Sequence, residues 1–171
     1  MKKLIIFCCI IAGMATSTSA QKFAIVDTDY IMKNIPTYET ANEQLNQVSK
    51  KWQSDVEVQM QEVQKMYKNY QTESVFLSED MKTKREEEIV AKEKAAQELK
   101  RSYFGPEGEL FKKRQSLMKP IQDEIYTAVQ DICKEKDIDL IIDKSSSMNL
   151  LYISQKLDIS DVVLQKLGYS K

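Results

Sequence analysis

The acidic residues at segment boundaries are the first candidates for chemistry, because paired carboxylates can act as general acid and base. Five aspartates of this kind are Asp27, Asp29, Asp139, Asp143 and Asp158. Asp27, Asp143 and Asp158 lie at the ends of β-prone runs or just before a helix start, where aspartate commonly satisfies turns and caps. Asp139 lies just inside a β-prone run and is expected to face solvent. We therefore predict structural roles for these carboxylates.

Other catalytic systems are excluded by composition. The chain contains no histidine, which removes His-dependent nucleophiles and His-based metal sites. No glycine-rich phosphate loop is present. Outside the N-terminal apolar run the sole cysteine is Cys133, either a small buried side chain or a reactive thiol that could bridge two chains. We predict that the protein is not an enzyme and has no metal and no cofactor.

Residues 1–20 have the composition of a secretory signal peptide. Two lysines precede an apolar run from Leu4 to Ile11, and small residues follow up to Ala20. The run is too short to span a bilayer, although an uncleaved N-terminal anchor is the alternative. We predict export with cleavage after Ala20. Cleavage removes two lysines and no acid, which takes the formal net charge from −1 to −3.

The middle of the chain has the pattern of a long helical hairpin. From Ala41 to Leu77 apolar residues recur at steps of three and four, a narrow stripe typical of a coiled coil. Thr37 is the expected first N-cap, and Ser78, followed by two acids, is expected to cap the return helix. We predict an arm over residues 37–119 with its tip near 74–78.

An interruption in the return arm predicts an aromatic cluster. The sequence Gly-Pro-Glu-Gly at residues 105–108 breaks the second helix. If the arms are equally long, this break lies opposite Val48, and Trp52 lies near Tyr103 and Phe104. The alternative is an ordinary bulge in an uneven coiled coil.

The two ends of the chain form the second predicted unit. Residues 22–27, 138–143 and 149–154 are β-prone, the last two as a hairpin, and Ser160 is expected to cap a short helix that stops at Gly168. We assign residues 21–36 and 120–171 to one β-containing body. Three short strands and one short helix bury little apolar surface, so we expect the body to oligomerise.

These terminal segments resemble a known family. The sequences KFAIVDTDYIM, PIQDEIYTAVQDICKEKDIDLIIDKS and LDISDVVLQKLG are similar to the Skp/OmpH family of periplasmic chaperones for outer-membrane proteins. The resemblance implies a mainly α fold in which a coiled-coil hairpin projects from a three-stranded β plus short-helix unit. It further implies a prefoldin-like, jellyfish-shaped homotrimer. Such a protein holds unfolded outer-membrane proteins between its arms in the periplasm without ATP.

The resemblance and the position along the hairpin give candidate site residues. The body of the trimer would be built by Phe23, Ile25, Leu140, Ile142, Leu150 and Tyr152. Client proteins would contact Met60, Val63, Met66, Tyr67, Tyr70, Val75, Phe76, Leu77 and Met81. The alternative is that these residues form the coiled-coil seam, which is the usual role of Met and Tyr at helical spacing. Three consecutive apolar residues at a tip, 75–77, are expected to be partly exposed.

The charge departs from the family pattern. Well-known members are strongly basic, which suits contact with anionic lipid or lipopolysaccharide, whereas this chain is slightly acidic. At most a weak membrane or lipopolysaccharide contact is expected, and the alternating charges do not suggest nucleic-acid binding. The alternative function is an exported coiled-coil scaffold of the cell envelope without chaperone activity, which leaves the β-rich body unexplained.

Overall fold

The computed structural model describes residues 21–146 and 150–169. The predicted signal peptide, residues 1–20 with its cleavage point after Ala20, lies outside the described residues. In the two described ranges, no helix is both long and apolar enough to cross a membrane. The predicted class is confirmed: a long helical hairpin projects from a small body that contains a sheet.

Two short strands join the distant ends of the chain. Strand β1 (Phe23–Val26) pairs in parallel with β2 (Leu140–Asp143), with Phe23 opposite Leu140. Parallel strands cannot be joined by a tight turn and need a long crossover connection. Here the whole helical hairpin is that crossover connection. The sheet therefore joins the two ends of the hairpin at its base.

The expected third strand is not formed. Residues 150–154 have neither helix nor strand structure, and Asn149 lies outside the described residues. The free edge of β1 is instead met by the segment before the last helix, through a single bridge between Ile25 and Asp158. Residues 150–154 thus find no strand partner within one chain, and Leu151 is fully exposed.

The outgoing arm is helix α2 (Pro36–Glu73), which follows the short helix α1 (Thr28–Lys33). Its 38 residues span about 57 Å at 1.5 Å per residue. The expected N-cap Thr37 is wrong, because the helix begins at Pro36 and Ile35 occupies the cap position without a side-chain bond. Proline suits the first helical turn, where its missing N–H is not needed.

The return arm contains two helices. Helix α3 (Glu79–Phe104) begins after Ser78, whose hydroxyl accepts a hydrogen bond from the Met81 N–H at 3.4 Å, which confirms the predicted cap. Helix α4 (Glu109–Lys136) continues from the arm into the body without a break at Pro120. The arm and the body therefore share one continuous helix.

The elbow between α3 and α4 requires glycine at two positions because there is no space for a side chain at either of them. A Cβ at Gly105 would lie 2.4 Å from the Arg101 carbonyl oxygen, and one at Gly108 would lie 2.7 Å from that of Tyr103. Both glycines have negative φ angles, so conformational freedom is not the reason. The turn is closed by the Gly108 N–H, which donates to the Gly105 carbonyl at 2.9 Å.

The core of the body lies between β1, the helices α1 and α4, and the final helix α5 (Ser160–Lys166). Its most deeply buried side chains are Ile31, Ile35, Ile132 and Val163. The predicted cap Ser160 is wrong by one position, since Ile159 is the N-cap. The predicted stop at Gly168 is confirmed by its left-handed backbone, with φ of 86°.

Candidate functional site

The tip of the hairpin exposes apolar side chains far from the body. Val75 is 78% exposed and Phe76 is 88% exposed, in a short 3₁₀ turn over Ser74–Phe76. Leu77 is half-buried, and Met81 in the first turn of α3 is exposed. Large side chains in such a position contribute nothing to the core, so this cluster is available for contact with another molecule.

Below the tip, the seam between the arms is narrow. Its buried residues are Leu45, Val56 and Val63 from α2 and Ile89 and Ala96 from α3. Val63, one of the candidate client-contact residues, therefore lies inside the hairpin and has little surface to offer while the arms are closed.

The remaining candidates on α2 flank this seam. Met60, Met66 and Tyr70 are half-buried, and Tyr67 is 44% exposed. Each therefore presents part of its side chain to solvent. They form an apolar strip that leads from the seam to the tip.

Polar bonds tie the two arms together near the tip. The Tyr70 hydroxyl donates a hydrogen bond to the Glu86 carboxylate, which raises the pKa of Tyr70. Lys92 pairs with Glu62 at 2.8 Å. Exposed pairs of this kind add little stability individually, but they fix the register of two helices that share few buried residues.

An aromatic cluster joins the arms beside the elbow. The rings of Trp52 and Tyr103 stack with centroids 4.8 Å apart and planes 8° apart. Phe104 meets Tyr103 edge-on at 6.3 Å. The predicted cluster is therefore confirmed, and it stiffens the hairpin where α3 ends.

The sheet has one packed face and one partly open face. Ala24, Val26 and Ile141 pack into the body core. On the other face, Phe23 and Leu140 lie side by side and are 48% and 49% exposed.

The other candidate body residues vary in burial. Ile25 is buried, and Ile142 and Leu150 are half-buried. Tyr152 is 86% exposed, next to the fully exposed Leu151. Leu151 and Tyr152 together with Phe23 and Leu140 give the body an apolar surface that one chain does not cover, whereas Ile25 lies beneath it.

The acidic candidates are engaged in holding the body together. Lys144 bridges Asp158 at 2.8 Å and Asp27 at 3.5 Å, and so ties the end of β2 to both the end of β1 and the start of α5. Burial alone would raise the pKa of Asp158, but hydrogen bonds from Lys144 and Ser160 outweigh it and lower the pKa below its usual range.

A second carboxylate works in the same way. Asp143 accepts hydrogen bonds from the Thr28 hydroxyl at 2.6 Å and the Ser145 hydroxyl at 2.9 Å. Its burial is likewise outweighed by these bonds, and its pKa is lowered. Asp139, exposed as expected, accepts from the Lys22 N–H at 2.9 Å.

In the part of the chain that the structure describes, no group of three or more His, Cys, Asp or Glu residues could hold a metal ion.

The network around Lys144, which we call the body latch (Asp27, Lys144, Asp158 and Ser160), was not visible in the sequence. Lys144 lies in a predicted turn, where a charged residue is ordinary. Only the parallel pairing of β1 with β2 brings its partners together.

The comparisons with known proteins agree with this architecture. The family model described as "Outer membrane protein (OmpH-like)" matches residues 22–167. A protein of Aquifex aeolicus (strain VF5) without a described function is 28% identical over 167 residues, which cover 98% of this chain and 96% of that one.

A solved structure shares the fold. It is an OmpH-like protein of Caulobacter crescentus CB15, for which a role as outer membrane chaperone has been put forward. The match has a TM-score of 0.68 and 13% identity, and covers 88% of this chain and 86% of that chain. At this identity the likeness concerns the fold, with its body and projecting hairpin.

Proposed function

Because this chain belongs to the family of OmpH-like outer membrane proteins, we propose that it is an ATP-independent chaperone that holds unfolded outer-membrane proteins in the periplasm. The observation that carries the proposal is the tip, where Val75 and Phe76 are almost fully exposed at the end of an arm about 57 Å long. An arm that served only as a spacer would gain nothing from an apolar end in water.

The chemistry of the arm suits holding rather than recognition of one sequence. The candidate contact residues are methionine, tyrosine and small aliphatic side chains on a narrow strip. Methionine adapts its shape to varied surfaces, and tyrosine combines an apolar ring with a polar end. Many weak contacts along several arms add through effective concentration, so no deep pocket is needed.

The body supports assembly of several arms into one cavity. Phe23, Leu140 and Tyr152 leave an uncovered apolar surface, and residues 150–154 have no strand partner within the chain. The apolar surface would be covered and the segment paired if neighbouring chains supplied the missing partners, as in the closed homotrimer that the family resemblance implies. The three hairpins would then surround a shared cavity.

The charge of the chain limits a second role at the membrane. With a net charge of −1 before any processing, long-range attraction to anionic lipid or lipopolysaccharide is weak. We therefore propose that capture depends mainly on apolar contact, and that any contact with lipid is secondary.

Aggregation of a client protein is the direct test. A urea-unfolded outer-membrane β-barrel protein is diluted into buffer with and without the purified protein, and light scattering is followed without nucleotide. We expect scattering to be suppressed at a ratio near one trimer per client. Unchanged scattering would leave the envelope scaffold as the better proposal.

A further inference from the structure

A small apolar cavity lies at the elbow between α3 and α4. The packing of the two arms against each other does not account for it. The cavity measures about 170 Å³ and is lined by Phe104, Gly105, Pro106, Leu110, Phe111 and Arg114. Phe104 is 38% exposed and Phe111 is 45% exposed. An enclosed apolar cavity of about 150 Å³ binds a benzene ring; the elbow cavity is of similar volume but open to solvent on one side, so a single aromatic side chain could enter it.

The cavity is a built feature with a fixed wall. Gly105 and Gly108 admit no side chain, because the nearest carbonyl oxygens would lie under 3 Å from an added Cβ. The aromatic cluster packs directly behind it, with Phe104 held edge-on against Tyr103. A ring that entered the cavity would meet Phe104 and Phe111, which line it.

The segment that forms the elbow carries more basic than acidic residues, in contrast to the chain as a whole. Between residues 100 and 114 the basic side chains are Lys100, Arg101, Lys112, Lys113 and Arg114, and the acidic ones are Glu107 and Glu109. Lys112 is paired with Glu109 at 3.0 Å. Arg114, at the rim of the cavity, forms no ion pair with any residue in the described part of the chain. Its guanidinium can therefore bind a carboxylate from another molecule.

We propose that the elbow binds the C-terminal residue of a client polypeptide when that residue is aromatic. Such a residue carries a ring and a carboxylate on the same Cα atom, which matches a cavity for one ring with a cation at its rim. The proposal rests on the proposed chaperone function and deepens it, because it adds an end-specific site on the arm to the unspecific apolar strip.

The test uses the whole mature protein and a labelled peptide, fluorescein-Gly-Ser-Gly-Ser-Gly-Phe. Binding is measured by fluorescence anisotropy for the free acid, for the C-terminal amide and for a peptide that ends in alanine. We expect the amide and the alanine peptide each to bind about tenfold more weakly, the loss of one charge-assisted bond or one buried ring. Equal affinity for the acid and the amide would overturn the proposal.

Two matched variants separate the cavity from general charge. Arg114→Gln should abolish the difference between acid and amide, whereas Lys113→Gln, which removes the same charge from a residue that does not line the cavity, should preserve it. If both variants lose the difference equally, the attraction is unspecific and the site is refuted. Suppression of aggregation by the wild-type protein is measured in parallel, so that a failure of the elbow site is not mistaken for a failure of the chaperone proposal.

Discussion

Trp52 of the outgoing arm and Tyr103 of the return arm stack face to face, with ring centroids 4.8 Å apart. They make up the main aromatic contact between two helices that otherwise share few buried side chains. Only Phe104 separates Tyr103 from the elbow, so this stack holds the two arms together beside the interruption of the return arm.

We expect Tyr103→Ala to weaken the hairpin by about 1–2 kcal/mol, because it removes the stacked ring from a half-buried site. Trp52 is the chain's single tryptophan, so its emission should shift to longer wavelength as the ring becomes hydrated. Urea unfolding followed by that emission measures both effects. Tyr103→Phe keeps the ring and should unfold close to the wild-type midpoint; if it behaves like the alanine variant, stacking is not the cause.

The elbow glycines lead to a prediction about space. Gly105→Ala should destabilise the protein by ~1–3 kcal/mol, because the new methyl group must push the Arg101 carbonyl away. Gly168→Ala is the instructive comparison: nothing lies near its Cβ position, but its φ of 86° is unfavourable for alanine and costs ~1–2 kcal/mol.

Far-UV circular dichroism, which reports total helix content, should separate the two effects by their size. Gly105→Ala should reduce the helicity or cooperativity of the arm, whereas Gly168→Ala should affect only the last turn of α5. A Gly105→Ala protein with wild-type stability would show that the elbow adjusts at no cost.

The arms could be predicted from sequence because their apolar spacing is local information. The same holds for the Ser78 cap and for the cluster of Trp52 with Tyr103, which followed from arms of equal length. The third strand could not be predicted reliably, since the β-prone residues 150–154 need a partner that one chain does not provide. The body latch could not be predicted from the sequence, because Lys144 and Asp27 come together only when the whole crossover connection has folded.

Two lowered carboxylate pKa values in the body, that of Asp143 and that of Asp158 in the body latch, predict a loss of stability in acid. The pKa values of Asp143 and Asp158 are lowered in the folded protein, so the stability they contribute is complete above the unfolded-state pKa of about 3.9 and is lost as pH falls through the folded values. We expect the urea concentration at the unfolding midpoint to decrease when the pH is lowered below about 4.

Asp158→Asn should lower stability at neutral pH and flatten this acid dependence. The control Asp123→Asn, in an exposed pair with Lys119 at 3.4 Å, should retain the wild-type profile. An unchanged profile in Asp158→Asn would mean that other carboxylates determine the acid response.

Because the apolar side chains at the tip are exposed, we expect that their removal weakens client binding without lowering the stability of the protein. The double variant Val75→Ser and Phe76→Ser removes exposed side chains, so its unfolding free energy should stay within about 0.5 kcal/mol of wild type. About tenfold more of this variant should be needed to suppress client aggregation, because two apolar contacts with the client are lost. Light scattering during client dilution measures this. Val58→Ser, at a 57% exposed position along α2, is the control and should suppress aggregation normally.

We expect assembly of the subunits to depend on Phe23 and Leu140, the two neighbouring side chains on the open face of the sheet. Phe23 and Leu140 lie opposite each other in register and are each about half exposed, so a trimer would bury both. The double variant Phe23→Ser and Leu140→Ser should shift the mass measured by light scattering from three chains toward one at micromolar concentration, because each buried side chain contributes about 1.5–3 kcal/mol per chain. Phe111→Ser, at a similarly exposed position on the arm, should leave the mass unchanged. If the sheet variant keeps the wild-type mass, the subunits meet through another surface. A wild-type protein that is already monomeric would remove the shared cavity on which the proposed holding mechanism depends.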